Sequence, residues 1–166
     1  MLGVSELEFL GHKVTAAGLS PLPEKVAAVQ SFPPQTVSEL MRFNGMINFY
    51  NRFMPHASLI MKPLFAAVAG KKGKDPVEWD TLTTKAFADT KSALANATLL
   101  HHPEHNADIA LMTDASDIGV GAVLEQQVGE LWQPLAFFSR KFSAAESRYL
   151  TFDRELLAVH VTIRHF

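Results

Sequence analysis

Two acids define the chemistry this sequence offers. The first is Asp114, in the run IALMTDASDIGVGAVL from Ile109 to Leu124. The residues before it read as the middle of a buried strand. A carboxylate there costs several kcal/mol, on the order of the effective penalty per buried ion, unless a partner or a metal compensates it. The second acid is Glu155, in the helical pattern from Ser143 onward. At roughly 100° per residue, Tyr149, Phe152, Leu156, Val159 and Ile163 form an apolar arc. Glu155 lies on one border of the arc, and Asp153 lies on the other beside His160. A helix laid on a sheet by that arc would deliver Glu155 to the sheet surface, where it could meet Asp114. Two carboxylates in one place repel unless a divalent cation sits between them. Oxygen ligands in a chain without cysteine point to magnesium or manganese rather than zinc. The fitting chemistry is phosphodiester hydrolysis, in which metal ions activate a water and stabilise the leaving oxygen. The alternative is that Glu155, like many helix-border acids, forms a salt bridge or faces solvent.

The elements that must position these acids are legible as a coarse order. LEFLGHKV, Leu7 to Val14, reads as a short strand and turn. Pro23 opens a short helix with Val26, Ala27 and Val29 as its apolar face, and Pro33–Pro34 stops it. Thr36-x-x-Glu39 is a capping box, after which Leu40, Phe43, Ile47 and Tyr50 recur at helical spacing. Gly45 inside that helix costs about 1 kcal/mol relative to Ala, which close packing would explain. Met54 to Val68 reads as a second short helix, and AGKKGKDP, Ala69 to Pro76, as a linker. Asp80 to Asn96 reads as a helix with Leu82, Phe87 and Leu94 inward. Three strands follow at Ile109–Thr113, Gly119–Gln126 and Leu135–Arg140. A last helix begins at the capping box Ser143-x-x-Glu146.

Composition narrows the function classes. With 166 residues and 48% hydrophobic content, the chain can build a core. No run approaches the roughly 18 apolar residues of a membrane span. The start, MLGVSELEFL, carries Glu6 and Glu8 and no basic segment, which argues against a signal peptide. The absence of cysteine removes disulfide frameworks and thiolate metal sites, and fits a reducing compartment. A net charge of −2 argues against a generic polyanion binder. Between Leu40 and Lys74, however, stand Arg42, Arg52, Lys62, Lys71, Lys72 and Lys74 and no acid. Such a patch attracts a phosphate backbone, or else forms a solvated face and a flexible loop. HHPEH, His101 to His105, lies in a Pro-containing loop and reads as solvated rather than metal-binding. Trp79 and Trp132 could stack on bases but read better as core or edge residues, and Phe137–Phe138 as core.

At Thr113-Asp114-Ala115-Ser116, Gly119 to Gln126, and Glu146, Tyr149 and Glu155-Leu156-Leu157-Ala158, the sequence resembles a known family. These residues are similar to the start of the ribonuclease H domain of gypsy-class long-terminal-repeat retrotransposon polyproteins. Upstream, FLGHKV and AAGLSPLPEKVAAVQSFPPQTVSEL resemble the end of the reverse transcriptase palm of the same polyproteins. MRFNGMINFYNRFMPHASLIMKPL resembles their thumb. The resemblance runs through nearly all of the chain in the correct order.

It implies an α/β chain, α+β overall: a helical polymerase-thumb segment, then a partial ribonuclease H-like domain of a three-stranded meander plus a helix. The division implied is 1–68 for the end of palm and thumb, 69–107 for a linker and connecting helix, and 108–166 for the N-terminal part of the ribonuclease H-like domain. Asp114 and Glu155 match the family's first and second metal-binding carboxylates, with magnesium or manganese as the implied cofactor. Asp117 and Asp153 have no catalytic counterpart. Arg42, Asn48, Tyr50 and Arg52 match a thumb helix that lies along the primer–template duplex, and Lys71, Lys72 and Lys74 join them as phosphate contacts. Gly11 and His12 match a hairpin near the primer end. Asn44 stands where the family favours Leu, and an unpaired buried Asn costs about 1–3 kcal/mol. Asn51 replaces a frequent basic residue.

The implied parent copies RNA into DNA and degrades the RNA of RNA–DNA hybrids, in the cytoplasm or a virus-like particle. The paired polymerase aspartates and two further ribonuclease H acids fall outside the chain, so by itself it is expected to lack these activities. The alternative is a non-catalytic nucleic-acid-binding or protein-interaction remnant. Three strands without further neighbours would leave an exposed sheet edge open to self-association. No membrane partner is implied.

Overall fold

A computed structural model describes residues 4–166. Residues 1–3, the first of the segment weighed as a signal peptide, lie outside it. The chain starts with a three-stranded antiparallel meander: β1 (Glu6–Phe9), β2 (His12–Thr15) and β3 (Gly18–Pro21). The single strand that periodicity suggests at Leu7–Val14 is a hairpin, as the resemblance at Gly11 and His12 implies. Its two-residue turn, Leu10–Gly11, has positive φ at both positions (48° and 80°), the geometry that matches strand twist and that favours glycine. Periodicity alone does not reveal a turn that carries a leucine at its first position.

Four helices follow: α1 (Pro23–Gln30), α2 (Val37–Phe49), α3 (Ala57–Ile60) and α4 (Lys62–Val68), with a 3-10 turn at Asn51–Phe53 between α2 and α3. The capping box at the start of α2 is present in both directions. The Glu39 amide donates to the Thr36 hydroxyl at 3.3 Å, and the Thr36 amide donates to the Glu39 carboxylate at 3.1 Å. Leu40, Phe43, Ile47 and Tyr50 are all buried, as their spacing predicts. Gly45 has a different explanation from the one expected. A Cβ placed there would touch nothing within 4 Å, so close packing does not account for it.

The segment expected as a linker is fastened to the start of α2. The Val37 and Ser38 amides, which a helix leaves without intrahelical partners, donate to the carbonyls of Asp75 and Gly73 at 2.9 Å each. The Val77 amide donates to the Gln35 carbonyl, and the Asp75 side chain accepts from the Lys72 amide. Ala69 to Pro76 is thus the outer cap of α2 rather than a tether. α5 (Thr81–Ala95), capped by Asp80 at the Thr83 amide, packs on α1, α3 and α4. Phe87 and Leu94 join the core as expected, while Leu82 is exposed. One continuous core runs from Val29 to Leu100.

A second antiparallel meander follows: β4 (Asp108–Ala115), β5 (Gly119–Val128) and β6 (Leu131–Lys141), in that spatial order. Phe137 of β6 packs against the helical core. Ser58 and Ser139 share three hydrogen bonds of 2.7–3.0 Å, which join α3 to β6. The reciprocal Ser143–Glu146 hydrogen bonds are present, but they precede a 3-10 turn at Glu146–Arg148 rather than a helix, and α6 begins later, at Thr151, running to His165. Its orientation reverses the expectation. Ala158 and Thr162 are buried on the sheet, whereas Phe152, Leu156, Val159 and Ile163 are 76, 60, 41 and 63% exposed. The small residues let the helix approach Val120 and Phe142, and the large apolar arc faces outward. Among the described residues, no helix is long and apolar enough to cross a membrane.

Candidate functional site

Asp114 is not in a buried strand. β4 is an edge strand, Ile109 and Met112 on it are exposed, and Asp114 itself meets solvent. Its desolvation cost therefore does not arise. Directly paired residues of an antiparallel sheet share a face, and Asp114 pairs with Gly121, which pairs with Ser139. That face looks toward the helical part: Ser139 bonds to Ser58, and a Cβ on Gly121 would lie 3.1 Å from His56 Nδ1. Asp114, His56, Pro55, Met112, Val123 and Phe137 line a cleft of about 190 Å³ on this side. His56 holds a left-handed backbone, φ 55°, at the entrance to α3. The missing side chain at position 121 leaves room for its imidazole.

α6 covers the other face, where Ala158, Leu157 and Val161 pack on Ala115, Val120 and Phe138. Glu155 is half-buried on the same side of the helix, which packs against β4. The two predicted carboxylates thus flank the open edge strand from opposite faces, instead of meeting on one surface. Neither has an ion-pair partner among the described residues, so the bland expectation of a salt bridge for Glu155 also fails. Among the described residues no group of three or more acids or histidines could hold a metal ion.

Arg154, which sequence reasoning passed over, ties the two segments together. Its guanidinium donates to Asp117 at 2.6 Å, to the Ser116 carbonyl at 3.4 Å and to the Thr151 hydroxyl at 3.3 Å. Asp117 is therefore more than a turn residue: it anchors the first turn of α6 to the loop that leaves β4. Asp114 stands three residues before Asp117, and Glu155 directly follows Arg154. An arginine adjacent to a predicted ligand, with a turn acid to match, was the available signal. A second pair closes the loop before α6. Arg140 grips Glu146 with both terminal nitrogens, at 2.9 and 3.3 Å, and the Ser143 amide donates to the same carboxylate. These bonds hold the Glu146 carboxyl down at about 2.

The predicted nucleic-acid contacts divide in the structure. Tyr50 is a correction: it is buried, its ring edges onto Phe49, and its hydroxyl donates to the Gly11 carbonyl at 3.1 Å. It fastens the β1–β2 turn to the end of α2 and has no free surface for a duplex. Burial and the nearby Arg52 lower the pKa of His12, which stacks on Phe49 in the same cluster. Lys71 is paired with Glu78 at 2.8 Å. Arg42, Asn48, Arg52, Lys72 and Lys74 are exposed. Arg42 also lies over the Phe32 ring at 5.9 Å. Lys72 and Lys74 lie at the start of α2, Arg42 midway along it and Arg52 just past its end, so that Lys72 and Lys74 stand well apart from Arg52. About 18–20 Å of helix separates them. Asn44 is buried; its amide donates to the Leu64 carbonyl at 3.4 Å, and its oxygen has no partner. The His101–His105 loop is held by Gln126, which accepts from the Glu104 amide and donates to the His102 carbonyl.

The same order of elements occurs in known proteins. The family model described as the RNase H-like domain found in reverse transcriptase matches residues 79–166, from just before α5 to the end of α6. The Retrovirus-related Pol polyprotein from transposon opus of Drosophila melanogaster is 35% identical over 164 residues, covering 93% of this chain and 16% of the relative. The corresponding polyprotein from transposon 412 of the same organism is 36% identical over 162 residues, covering 97% of this chain and 13% of the relative. The chain thus spans less than a fifth of the length of these relatives. Among solved structures, a foamy viral protease-reverse transcriptase dRH in complex with ds DNA superposes with a TM-score of 0.83 at 25% identity, over 96% of this chain and 28% of that one. The chain belongs to the family of RNase H-like domains found in reverse transcriptase, as they occur in retrotransposon Pol polyproteins.

Proposed function

We propose that the chain works as part of a reverse transcriptase/ribonuclease H whose parent synthesises DNA on RNA and hydrolyses the RNA strand of RNA–DNA hybrids. In this reading residues 1–68 come from the end of the palm and the thumb, 69–107 join them on, and 108–166 begin the ribonuclease H-like domain. The setting is the cytoplasm or a virus-like particle. The observation that carries the reading is the Arg154–Asp117 link, which sets the Asp114 strand and the Glu155 helix turn side by side with both carboxylates unpaired.

By its chemistry, though not by its arrangement here, the donor set suits a hard cation. Asp114 and Glu155 offer oxygen only, and the chain has no thiol. A magnesium or manganese ion bound there would lower the pKa of a water and stabilise the leaving oxygen of a phosphodiester. Asp114 and Glu155 approach β4 from opposite faces, so holding one ion between them would need one side chain to turn toward the other; Arg154 positions Glu155 by fixing the first turn of α6. Arg42, Asn48, Arg52, Lys72 and Lys74 would contact the sugar–phosphate backbone of the hybrid or primer–template duplex. Lys71 contributes less, being paired with Glu78. Self-association through the edge of β4 belongs to the same reading.

The test is cleavage of a labelled RNA–DNA hybrid in magnesium by the purified chain and by Asp114→Asn, with hybrid affinity measured against salt for both. Cleavage lost in Asp114→Asn supports the assigned carboxylate. Hybrid binding that falls steeply with salt, and less steeply in a Lys72→Ala/Lys74→Ala variant, supports the phosphate contacts. Binding that ignores salt would remove them.

A further inference from the structure

The short extended segment after α5 touches three other parts of the chain. The Thr98 amide donates to the Phe53 carbonyl, in the turn that follows α2, at 3.0 Å. Leu100 exchanges two hydrogen bonds with Leu19 of β3, at 2.7 and 3.0 Å. The His101 amide points to the other side, as the next residue of an extended strand must. It donates to the Pro134 carbonyl of β6 at 2.9 Å. His102 then donates through Nε2 to the Thr15 carbonyl of β2 at 2.7 Å. One segment is thus shared by both meanders and the helical part. It is seated without slack at Gly18, where a Cβ would lie 2.1 Å from the Leu100 carbonyl oxygen and φ is 146°, a value that favours glycine.

β6 has β5 along one side, and its other edge is taken by this segment and by α3. The Pro134 carbonyl is bonded to His101, and the Ser139 carbonyl and hydroxyl are bonded to Ser58. These attachments are five residues apart, about 17 Å along a strand. Phe137 enters the helical core between them. Rotation about either attachment would have to break the other. Gln126 adds a hold from β5. Only 1% exposed, it accepts from the Glu104 amide at 2.8 Å and donates to the His102 carbonyl at 2.9 Å and the Gln133 side chain at 3.2 Å. All these partners lie within the chain, so the bonds do not depend on what surrounds it. We propose that Thr98 to Glu104 is a strap that locks the first meander, the helical part and the second sheet into one rigid body, with Gln126 and Ser139 as the residues that position the sheet. Combined with the proposed function, it would hold Asp114 at a set distance from Arg42 and Arg52.

The chain has no cysteine, so a pair of spin labels can be placed at will. Ala88→Cys lies on the exposed side of α5 and Glu130→Cys in the β5–β6 turn. Double electron–electron resonance on the labelled full chain should give a single narrow distance distribution. In the added background of Gln126→Ala and Ser139→Ala the narrow peak should be lost while circular dichroism stays unchanged. Amide hydrogen exchange supplies a second reading in the unlabelled chain. The His101 amide should be protected as strongly as the Phe43 amide of α2, because both open only with the whole body. Gly18→Ala should lower the protection of His101 at least about tenfold. A broad or two-peaked distribution in the parent chain overturns the proposal, as does His101 exchanging far faster than Phe43. A peak that stays narrow without the Gln126 and Ser139 side chains removes their positioning role. Neither measurement needs a nucleic acid, so failure here is distinguishable from failure of the proposed function.

Discussion

The helical part and the second sheet hold themselves together by different means. In the first, Leu40, Phe43, Ile47, Phe53 and Leu64 are completely excluded from solvent in one core that gathers α1 to α5. Around α6 the buried apolar cluster comprises Val120, Phe142 and Ala158, and much of the fastening is polar: Arg140 to Glu146 and Arg154 to Asp117. A thick core needs no partner. Around the thin one, Phe152, Leu156 and Ile163 of α6 and Ile109 and Met112 of β4 are exposed. The candidate chemistry lies in the thinner part, where strand and helix positions rest on a few directional bonds.

Truncation should expose the contrast most strongly. Phe43→Ala is expected to cost about 3–5 kcal/mol in urea unfolding, against about 2 kcal/mol for Val120→Ala, whose side chain is also fully buried. Equal losses would mean that the two cores are equally tight. A smaller effect sharpens the picture of the helical core. Asn44 leaves a buried oxygen unpaired, so Asn44→Leu should stabilise the chain by about 1 kcal/mol, read as a higher urea midpoint. A loss instead would show that the weak bond to the Leu64 carbonyl matters more than the orphaned oxygen.

The smallest effect is confined to the sheet part and to low pH. Glu146 has its carboxyl pKa lowered from 4.5 to about 2, so its ionised form is favoured in the folded chain. Its contribution to stability is complete above pH 4.5 and is lost as pH falls through about 2. Carbon-detected NMR titration should place the Glu146 midpoint near 2 in the parent chain. In Arg140→Gln the midpoint should move upward, toward the ordinary carboxylate range. An unmoved midpoint would assign the shift to the Ser143 amide instead of the guanidinium.

Local sequence determined the local features. The Thr36–Glu39 and Ser143–Glu146 boxes, the burial of Leu40, Phe43 and Ile47, and the three strands of the second sheet follow from hydrogen-bonding groups and spacing within a few residues. The TDAS strand and the ELLA helix likewise carried the family. What the sequence left open was direction. A helix with both a large apolar arc and a narrow track of small residues can lie on a sheet by either, and α6 lies by the small one because Ala158 and Thr162 allow close approach. A strand's alternation says which residues share a face, but not which face meets a helix. Asp114 therefore looks toward His56 while Glu155 comes from the other side. Tyr50 could be an exposed contact or a core anchor until the β1–β2 turn supplies the Gly11 carbonyl. Spacing fixes which side chains stand together along an element; only packing between distant elements decides what each side faces, because that choice depends on shapes and partners far away in the chain.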